Sequence, residues 1–318
     1  RSLLQDVVVV IAHSLHFSNK DLLQGKRQRL GKHRAVFVHN LQGAFSVAPH
    51  QKAYHAALLL HLQQLPHPQQ HLLPQQLLHP QQLLQDLPAA SPLFKPDTLT
   101  VRVIGDIMMH TRQIELAHVR DSTYDFSSYF SLIRDSLAGA DICIANMEFT
   151  TAGKPYTGYP AFSAPDCYID YLASCGIDVL LASNNHIYDK GSEGASRTIS
   201  QVQSHNGLHL CGIAADSDQM EQTNPLTLRR KGMSVSMINF TYGTNLGADS
   251  HWPKINYMSD RQRIKDALDS ASDADLVMVL PHWGEEYTLV PSESQKTTAL
   301  WLAENGADII IGTHPHVP

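Results

Sequence analysis

Five short polar motifs in the last two thirds of the chain carry side chains that could bind a metal ion or move a proton. Each motif directly follows an apolar run that predicts a buried strand. Side chains at the carboxyl ends of neighbouring parallel strands meet in one crevice, so we expect the motifs to converge. Carboxylate, amide and imidazole groups gathered in this way are typical of a divalent metal site. The motifs are Gly105-Asp106, Asn146-Met147-Glu148, Asn184-Asn185-His186, His282-Trp283-Gly284-Glu285-Glu286 and Gly312-Thr313-His314-Pro315-His316.

The strongest single motif is the pair His314 and His316. On an extended segment, residues two apart point the same way, and Pro315 favours an extended conformation in the residue before it. The same alternation places the side chains of Asn146 and Glu148 on one side of their segment. Two imidazoles converging after a strand are hard to explain by packing, so we interpret them as ligands.

Other motifs also have ordinary structural explanations. Asp106 alone is explained as well by a turn or a helix cap. His110 either joins the site or lies on the surface of the following helix. His282 ends its apolar run, and Glu285 or Glu286 could orient an imidazole of the site without touching the ion.

The Asn184-Asn185-His186 motif is more specific, because three polar residues after a buried strand need partners. An asparagine side-chain oxygen is a plausible metal ligand, and His186 beside it could act as a general acid or base. The alternative is an Asx turn with a capping histidine. We favour the first interpretation and expect His186 to face the substrate.

From Leu99 onward, strand patterns alternate with helical patterns. Strand, helix and strand in series predict a largely parallel α/β sheet, and two apolar runs around Lys231-Gly232 predict an antiparallel hairpin. The predicted strands are Leu99–Ile104, Asp141–Ala145, Ile177–Ala182, Leu226–Arg230, Met233–Phe240, Leu276–Leu280 and Ala307–Ile311. The predicted helices are Ser127–Leu137, Pro165–Ser174, Ser192–Ser204, Asp260–Ser270 and Ser292–Asn305.

The composition changes sharply near Pro96. Before it the chain is rich in Gln, His, Leu and Pro, and residues 63 to 86 form a six-residue repeat. Its period fits neither a helix nor a strand, and its prolines forbid a continuous helix. We therefore interpret residues 1 to 95 as a low-complexity region, either disordered or not a selected protein segment. Residues 98 to 318 are the predicted folded domain.

Bulk properties exclude several classes of protein. The net charge of −6 and the absence of a basic stripe argue against nucleic acid as a partner. No apolar run reaches 18 residues, so no transmembrane or signal segment is visible, although the chain begins with Arg1 and such a segment could be missing. The four cysteines form no CxxC pair, and a Cys167–Cys175 disulfide stays open.

Taken together and in order, the motifs resemble the CapA family, the poly-γ-glutamate capsule synthesis domain, over about residues 98 to 318. The resemblance implies a metallophosphatase-like fold of layered sheets flanked by helices. Family members normally continue with further strands, so we expect the domain to be incomplete at its C-terminal end. By the same resemblance His186 is the catalytic acid, and the metal ligands are Asp106, Glu148, Asn185, His282, His314 and His316.

The resemblance also implies a role in capsule or poly-γ-glutamate biosynthesis or export at the cell envelope. It implies one or two divalent ions, with Mn, Fe and Zn all plausible, and other capsule-synthesis or export proteins at the membrane as partners. Two alternatives stay open: a metal-dependent phosphoesterase and a non-catalytic envelope scaffold. Because Asp106 is followed by Ile107 and Met108, the Asp-x-His that opens the metallophosphatase pattern is not seen, and hydrolase activity stays open.

Overall fold

A computed structural model describes residues 98–121, 123–246 and 251–317, together with the backbone of two short strands. These strands are β1 at Leu15–Ser18 and β2 at Val36–Val38. All of the described residues belong to one compact unit. The six-residue repeat and most of the low-complexity region lie outside the described residues, so the predicted division of the chain near Pro96 stays a prediction.

Strands and helices alternate from Thr98 onward, as the sequence predicts. The strands are β3 Thr98–Ile107, β4 His118–Arg120, β5 Thr123–Tyr124, β6 Ile142–Met147, β7 Val179–Leu181, β8 His209–Cys211, β9 Ile213–Ala214, β10 Leu226–Arg230, β11 Met233–Thr241, β12 Lys254–Ile255, β13 Leu276–His282 and β14 Ile309–Ile311. The helices are α1 Thr111–Ala117, α2 Arg134–Ala138, α3 Cys167–Ser174, α4 Gly191–Gln203, α5 Ser217–Thr223, α6 Arg261–Ser270 and α7 Glu293–Glu304.

Two five-stranded sheets form the centre of the fold. The first has the order β1-β3-β6-β7-β8 and is parallel except for β1. The second has the order β10-β11-β13-β14-β2 and is parallel except for β10. The predicted hairpin is confirmed, because β10 and β11 pair antiparallel across Lys231 and Gly232. Both turn residues have positive φ, 50° and 77°, as a two-residue hairpin turn of this hand requires.

The sheets pack face to face, and helices cover their outer faces. Alternate residues of β3, such as Leu99 and Val101, meet residues of the second sheet, such as Val235 and Met278, in one buried apolar cluster. A second cluster lies under α3 and α4, and a third lies under α6 and α7. The layers are therefore helix, sheet, sheet and helix, which confirms the predicted α/β class of layered sheets flanked by helices.

Four of the five predicted helices are present within one or two residues of their predicted ends. Asp260 and Ser292 cap α6 and α7, because their side chains accept hydrogen bonds from backbone amides three residues later. The prediction of a helix over Ser127–Leu137 is wrong for most of its length, because only Arg134–Ala138 is helical. The Phe130 amide donates to the Tyr171 hydroxyl at 2.8 Å, which fixes the preceding turns in place of a helix.

The four cysteines are all free thiols, so the Cys167–Cys175 disulfide that the sequence left open is not formed. Within the described part of the chain, no helix has the length and apolar character needed to cross a bilayer.

Candidate metal centre

All six predicted ligands lie at the carboxyl ends of central strands, and each sheet supplies half of them. The first sheet supplies Asp106 at the end of β3, Glu148 after β6 and Asn185 after β7. The second supplies His282 at the end of β13, and His314 and His316 after β14. The centre is thus built across the edge where the two sheets meet.

Asp106 is aimed into the centre by an irregularity in β3, whose register against β6 shifts directly before it. Its carboxylate accepts hydrogen bonds from the Asn146 side-chain amide (2.8 Å), the His314 backbone amide (3.1 Å) and His316 Nδ1 (3.0 Å). Burial opposes ionisation, but the hydrogen bond from His316 and nearby imidazole charge lower the pKa of Asp106 to about 2. Asp106 is therefore an anion at neutral pH.

Glu148 behaves in the opposite way. Its side chain is fully buried, and burial together with the negative charge of Asp106 raises its pKa to about 10. Oε2 accepts a long hydrogen bond from Asn146 (3.3 Å), whereas Oε1 has no hydrogen-bond partner among the described residues. A buried carboxylate oxygen without a partner is costly unless a cation or proton compensates it.

The surroundings of Glu148 Oε1 fit a cation. Nε2 of His316, His282 and His186 lies 3.7, 3.9 and 4.0 Å away, too far for hydrogen bonds. Ligand bonds to divalent ions of this type are about 2.0–2.2 Å long, so two ligands of one ion lie within about 4 Å of each other. His314 Nδ1 is a second buried atom without a partner among the described residues.

Two groups of side chains have ligand atoms close enough to hold an ion. Glu148, His314 and His316 form one group, and Asp106, Glu148 and His282 form the other, with ligand atoms in each group within 4.8 Å of one another. Glu148 belongs to both groups, so they are adjacent. This donor set of nitrogen and carboxylate oxygen fits one or two divalent ions.

His282 has three polar partners, of which the Asn146 side-chain amide lies 3.2 Å from Nδ1. Its Nδ1 lies 2.9 Å from Thr313 Oγ1, and its Nε2 lies 2.9 Å from Asn185 Oδ1. Burial lowers the pKa of His282 to about 3, so its imidazole is neutral, the form that a metal ligand requires. At His282 the partners of Nδ1 are Thr313 and Asn146, whereas Glu285 and Glu286 are exposed. That one of these glutamates orients another imidazole of the site stays a prediction.

His314 and His316 converge, but not on an extended segment. Their φ angles are 99° and 54°, in a region that residues other than glycine rarely adopt. The extended geometry that the sequence suggested is therefore wrong, although both rings reach Glu148. Strain of this kind is found where the surrounding structure fixes a functional geometry.

His186 lies beside the centre and outside both ligand groups. Its Nδ1 is 2.8 Å from Asp189 Oδ2. The same oxygen accepts a hydrogen bond of 2.8 Å from the Phe162 backbone amide. Its backbone amide donates to Asn184 Oδ1 at 3.1 Å, so an Asx turn is present as well. Because Asp189 accepts from Nδ1, Nε2 is the ring nitrogen left facing Glu148.

The sequence left the place of His110 open, and the structure puts it on the surface at the start of α1. Its ring contacts the edge of Phe162, which packs against His186 in turn (centroids 5.2 and 4.7 Å apart). His110 belongs to neither ligand group.

Several residues of the site were missed from sequence. Tyr242 packs its ring against His314 (centroids 4.7 Å apart), and the Asn245 side-chain amide lies 3.2 Å from His186 Nδ1. Tyr242 directly follows β11, so the strand-end rule would have found it. Asn245 and Phe162 lie in loops and carry no comparable sequence signal.

The fold and the site together define a class: a two-sheet α/β protein with a carboxylate and histidine centre at the carboxyl edge of both sheets. The chain belongs to the family of bacterial capsule synthesis proteins, PGA_cap, whose family model matches residues 100–318.

Two curated relatives are named CapA. The chain is 28% identical to the capsule biosynthesis protein CapA of Bacillus anthracis over 233 residues, which cover 70% of this chain and 55% of the relative. It is 26% identical to the PGA biosynthesis protein CapA of Bacillus subtilis strain 168 over 236 residues, or 70% of this chain and 59% of the relative. The chain thus spans little more than half the length of these relatives.

Solved structures are more distant. A hypothetical protein from Thermus thermophilus matches with a TM-score of 0.41 and 19% identity, over 69% of this chain and 68% of that one. A putative 5'-nucleotidase from Staphylococcus aureus matches with a TM-score of 0.44 and 13% identity, over 67% and 44%.

Proposed function

We propose that the chain acts in capsule or poly-γ-glutamate production or export at the cell envelope, and that its centre binds one or two divalent metal ions. Membership of the capsule synthesis family supports the first part. The observation that carries the second is the buried Glu148 Oε1, which lacks a partner among the described residues while three imidazole nitrogens surround it. The residues that would hold the ions are Asp106, Glu148, Asn185, His282, His314 and His316.

The donor set also bears on the identity of the ion. Mixed imidazole and carboxylate ligands suit Mn, Fe and Zn. We further propose that the partners are other capsule-synthesis or export proteins at the membrane, because a chain of this family would act beside the machinery that makes or moves the polymer.

Metal content tests the centre directly. The full chain, purified without chelator, should contain a divalent ion by elemental analysis, and the double variant His314→Ala/His316→Ala should lose most of it. The matched control is His118→Ala/His205→Ala, which removes two histidines distant in sequence from the ligand motifs. Metal content equal in both double variants would overturn the metal proposal and favour the scaffold alternative.

A second candidate function is hydrolysis of a phosphate ester, favoured by the pair of His186 and Asp189. A bound divalent ion would activate water and stabilise the leaving oxygen. Asp189 lies 2.8 Å from Nδ1 of His186 and would orient its ring, and His186, when both ring nitrogens are protonated, would give its Nε2 proton to the leaving oxygen. General acid catalysis of this kind contributes about 10²–10⁴-fold in rate.

His186→Ala separates this role from metal binding. The variant should keep its metal and lose activity on bis(p-nitrophenyl) phosphate by about 10²-fold or more. His110→Ala is the matched control, because His110 packs on the same Phe162 ring but lies on the surface. Loss of metal in His186→Ala would make His186 a ligand, and unchanged metal and activity would leave it as a structural residue of the turn.

A further inference from the structure

A polar cavity lined by none of the candidate metal ligands lies between the loop from Ala152 to Pro155 and the start of α4. It measures about 280 Å³. The loop follows the Glu148 motif, and α4 follows the His186 motif. The cavity and the metal centre therefore share the loops that leave the carboxyl ends of β6 and β7.

The walls of this cavity are fixed by specific contacts. The Arg197 guanidinium donates to both carboxylate oxygens of Asp166 (2.7 and 2.8 Å) and also to the Thr151 carbonyl. Gly194 lets the two segments approach closely, because a Cβ at this position would lie 2.5 Å from Lys190 Cβ and 3.1 Å from Ala152 Cβ. The cavity is thus bounded by a rigid ion pair and by close backbone packing.

The charge of the cavity is opposite to that of the chain. Lys154, Lys190 and Arg197 line it, against the single carboxylate of Glu193, whereas the chain carries a net charge of −6. Asp166 neutralises Arg197. The Lys190 ammonium forms no ion pair with a carboxylate among residues 98–121, 123–246 and 251–317. Lys190 directly follows Asp189, which contacts His186 Nδ1, in the sequence.

We propose that this cavity binds the oxyanion group of a ligand, a phosphate or a carboxylate, through Lys190 and Lys154, which both line it. Ammonium groups in a partly enclosed cavity give charge-assisted hydrogen bonds to such oxygens, and these are stronger than neutral ones. The group can belong to a molecule whose other end reaches the metal centre or to a separate ligand, and binding of the group requires no metal.

Calorimetry on full-length, metal-stripped protein tests the proposal. Inorganic phosphate and glutarate are titrated separately at low ionic strength, after stripping on a chelating resin so that no soluble chelator competes. We expect at least one probe to bind and Lys190→Gln to weaken it by about tenfold. Lys190→Arg should keep most of the affinity. Lys265→Gln is the control, because Lys265 pairs with Asp269 on α6, away from the cavity.

The outcomes show which anion binds and whether Lys190 binds it. Binding of phosphate alone, or of glutarate alone, supports the proposal and names the anion. Absence of binding by both probes overturns it, as does binding that Lys190→Gln leaves unchanged. Binding lost in His314→Ala/His316→Ala but kept in Lys190→Gln also overturns it, since the anion would then occupy the metal centre. Metal content measured in Lys190→Gln should equal that of the wild type, so failure here leaves the metal proposal untouched.

Discussion

Replacing Glu148 by Gln should change the stability of the protein in opposite directions with and without metal. In the metal-free protein, burial and the charge of Asp106 raise the pKa of Glu148 from its ordinary value of 4.5 to about 10. The folded protein therefore keeps this carboxyl protonated at neutral pH, whereas the unfolded chain releases the proton. A neutral amide of the same shape carries no such cost, so the variant should be the more stable form once metal is removed.

The size of the effect follows from the linkage between protonation and folding. Keeping a group protonated at pH 7, about 2.5 pH units above its unfolded pKa, costs about 3 kcal/mol as an upper figure. Because the folded pKa is raised, the cost is absent below pH 4.5 and grows by about 1.4 kcal/mol per pH unit up to the folded pKa. For a domain of this size, about 3 kcal/mol corresponds to roughly 6–12 °C in Tm.

Thermal and urea unfolding of the wild type and of Glu148→Gln at pH 6, 7 and 8 measure this difference in stability. On metal-stripped protein, Glu148→Gln should raise the stability, and more so at pH 8 than at pH 6. Added Mn²⁺ should stabilise the wild type by mass action and the variant much less, which reverses the order. Glu285→Gln, at an exposed carboxyl, is the control. It should change neither the stability of the metal-stripped protein nor the stabilisation by Mn²⁺. A metal-free variant less stable than the wild type at every pH, or equal stabilisation of both forms by Mn²⁺, would refute the reasoning.

Three further predictions concern the parts of the fold that support the site. Deleting residues 1 to 95 should leave the melting temperature of the rest nearly unchanged, because β1 and β2 are edge strands of only four and three residues. A large loss would show that they stabilise the sheets with which they pair. Gly312→Ala should lower the free energy of unfolding, measured in urea, by about 1–3 kcal/mol. The new Cβ would lie 2.4 Å from the Trp283 indole nitrogen. Unchanged stability would show that the indole can move. Thr313→Val should lower metal affinity by about 10–100-fold in a competition assay, because His282 Nδ1 loses its hydroxyl partner, and unchanged affinity would argue against that orienting role.

The strands, and the polar residues at their ends, could be predicted from the sequence because both are visible in a short local pattern. A buried parallel strand is a short apolar run, and a polar residue at its end is visible without any knowledge of its neighbours. The runs ending at Asp106 and His282 are of this kind, and both lie where the sequence placed them. The sequence extent of the domain and the role of His186 stay predictions.

The contacts made by these side chains could not be predicted in the same way, because they depend on distant parts of the chain. Thr313 and His282 are 31 residues apart and meet only because β13 and β14 are neighbours. His314 has a positive φ, and its backbone amide donates to the carboxylate of Asp106, 208 residues earlier. Local patterns carry neither fact, so the sequence suggested an extended segment where the structure has a bend at His314, and it did not suggest Thr313 as a partner of His282.

The division of the proposed ligands between two sheets would couple metal binding to the packing of the fold. Asp106 and Glu148 come from one sheet and His282 from the other, and the apolar cluster between the sheets sets the distance between them. Separating the sheets would move Glu148 Oε1 away from the imidazoles of His282 and His316, whose Nε2 atoms lie 3.9 and 3.7 Å from it. An ion held by ligands of both sheets would resist that separation, so substitutions in the inter-sheet core, such as Met278→Ala, should lower metal affinity without touching a ligand. A metal affinity that stays constant while such substitutions lower stability would show that each half of the site is rigid by itself.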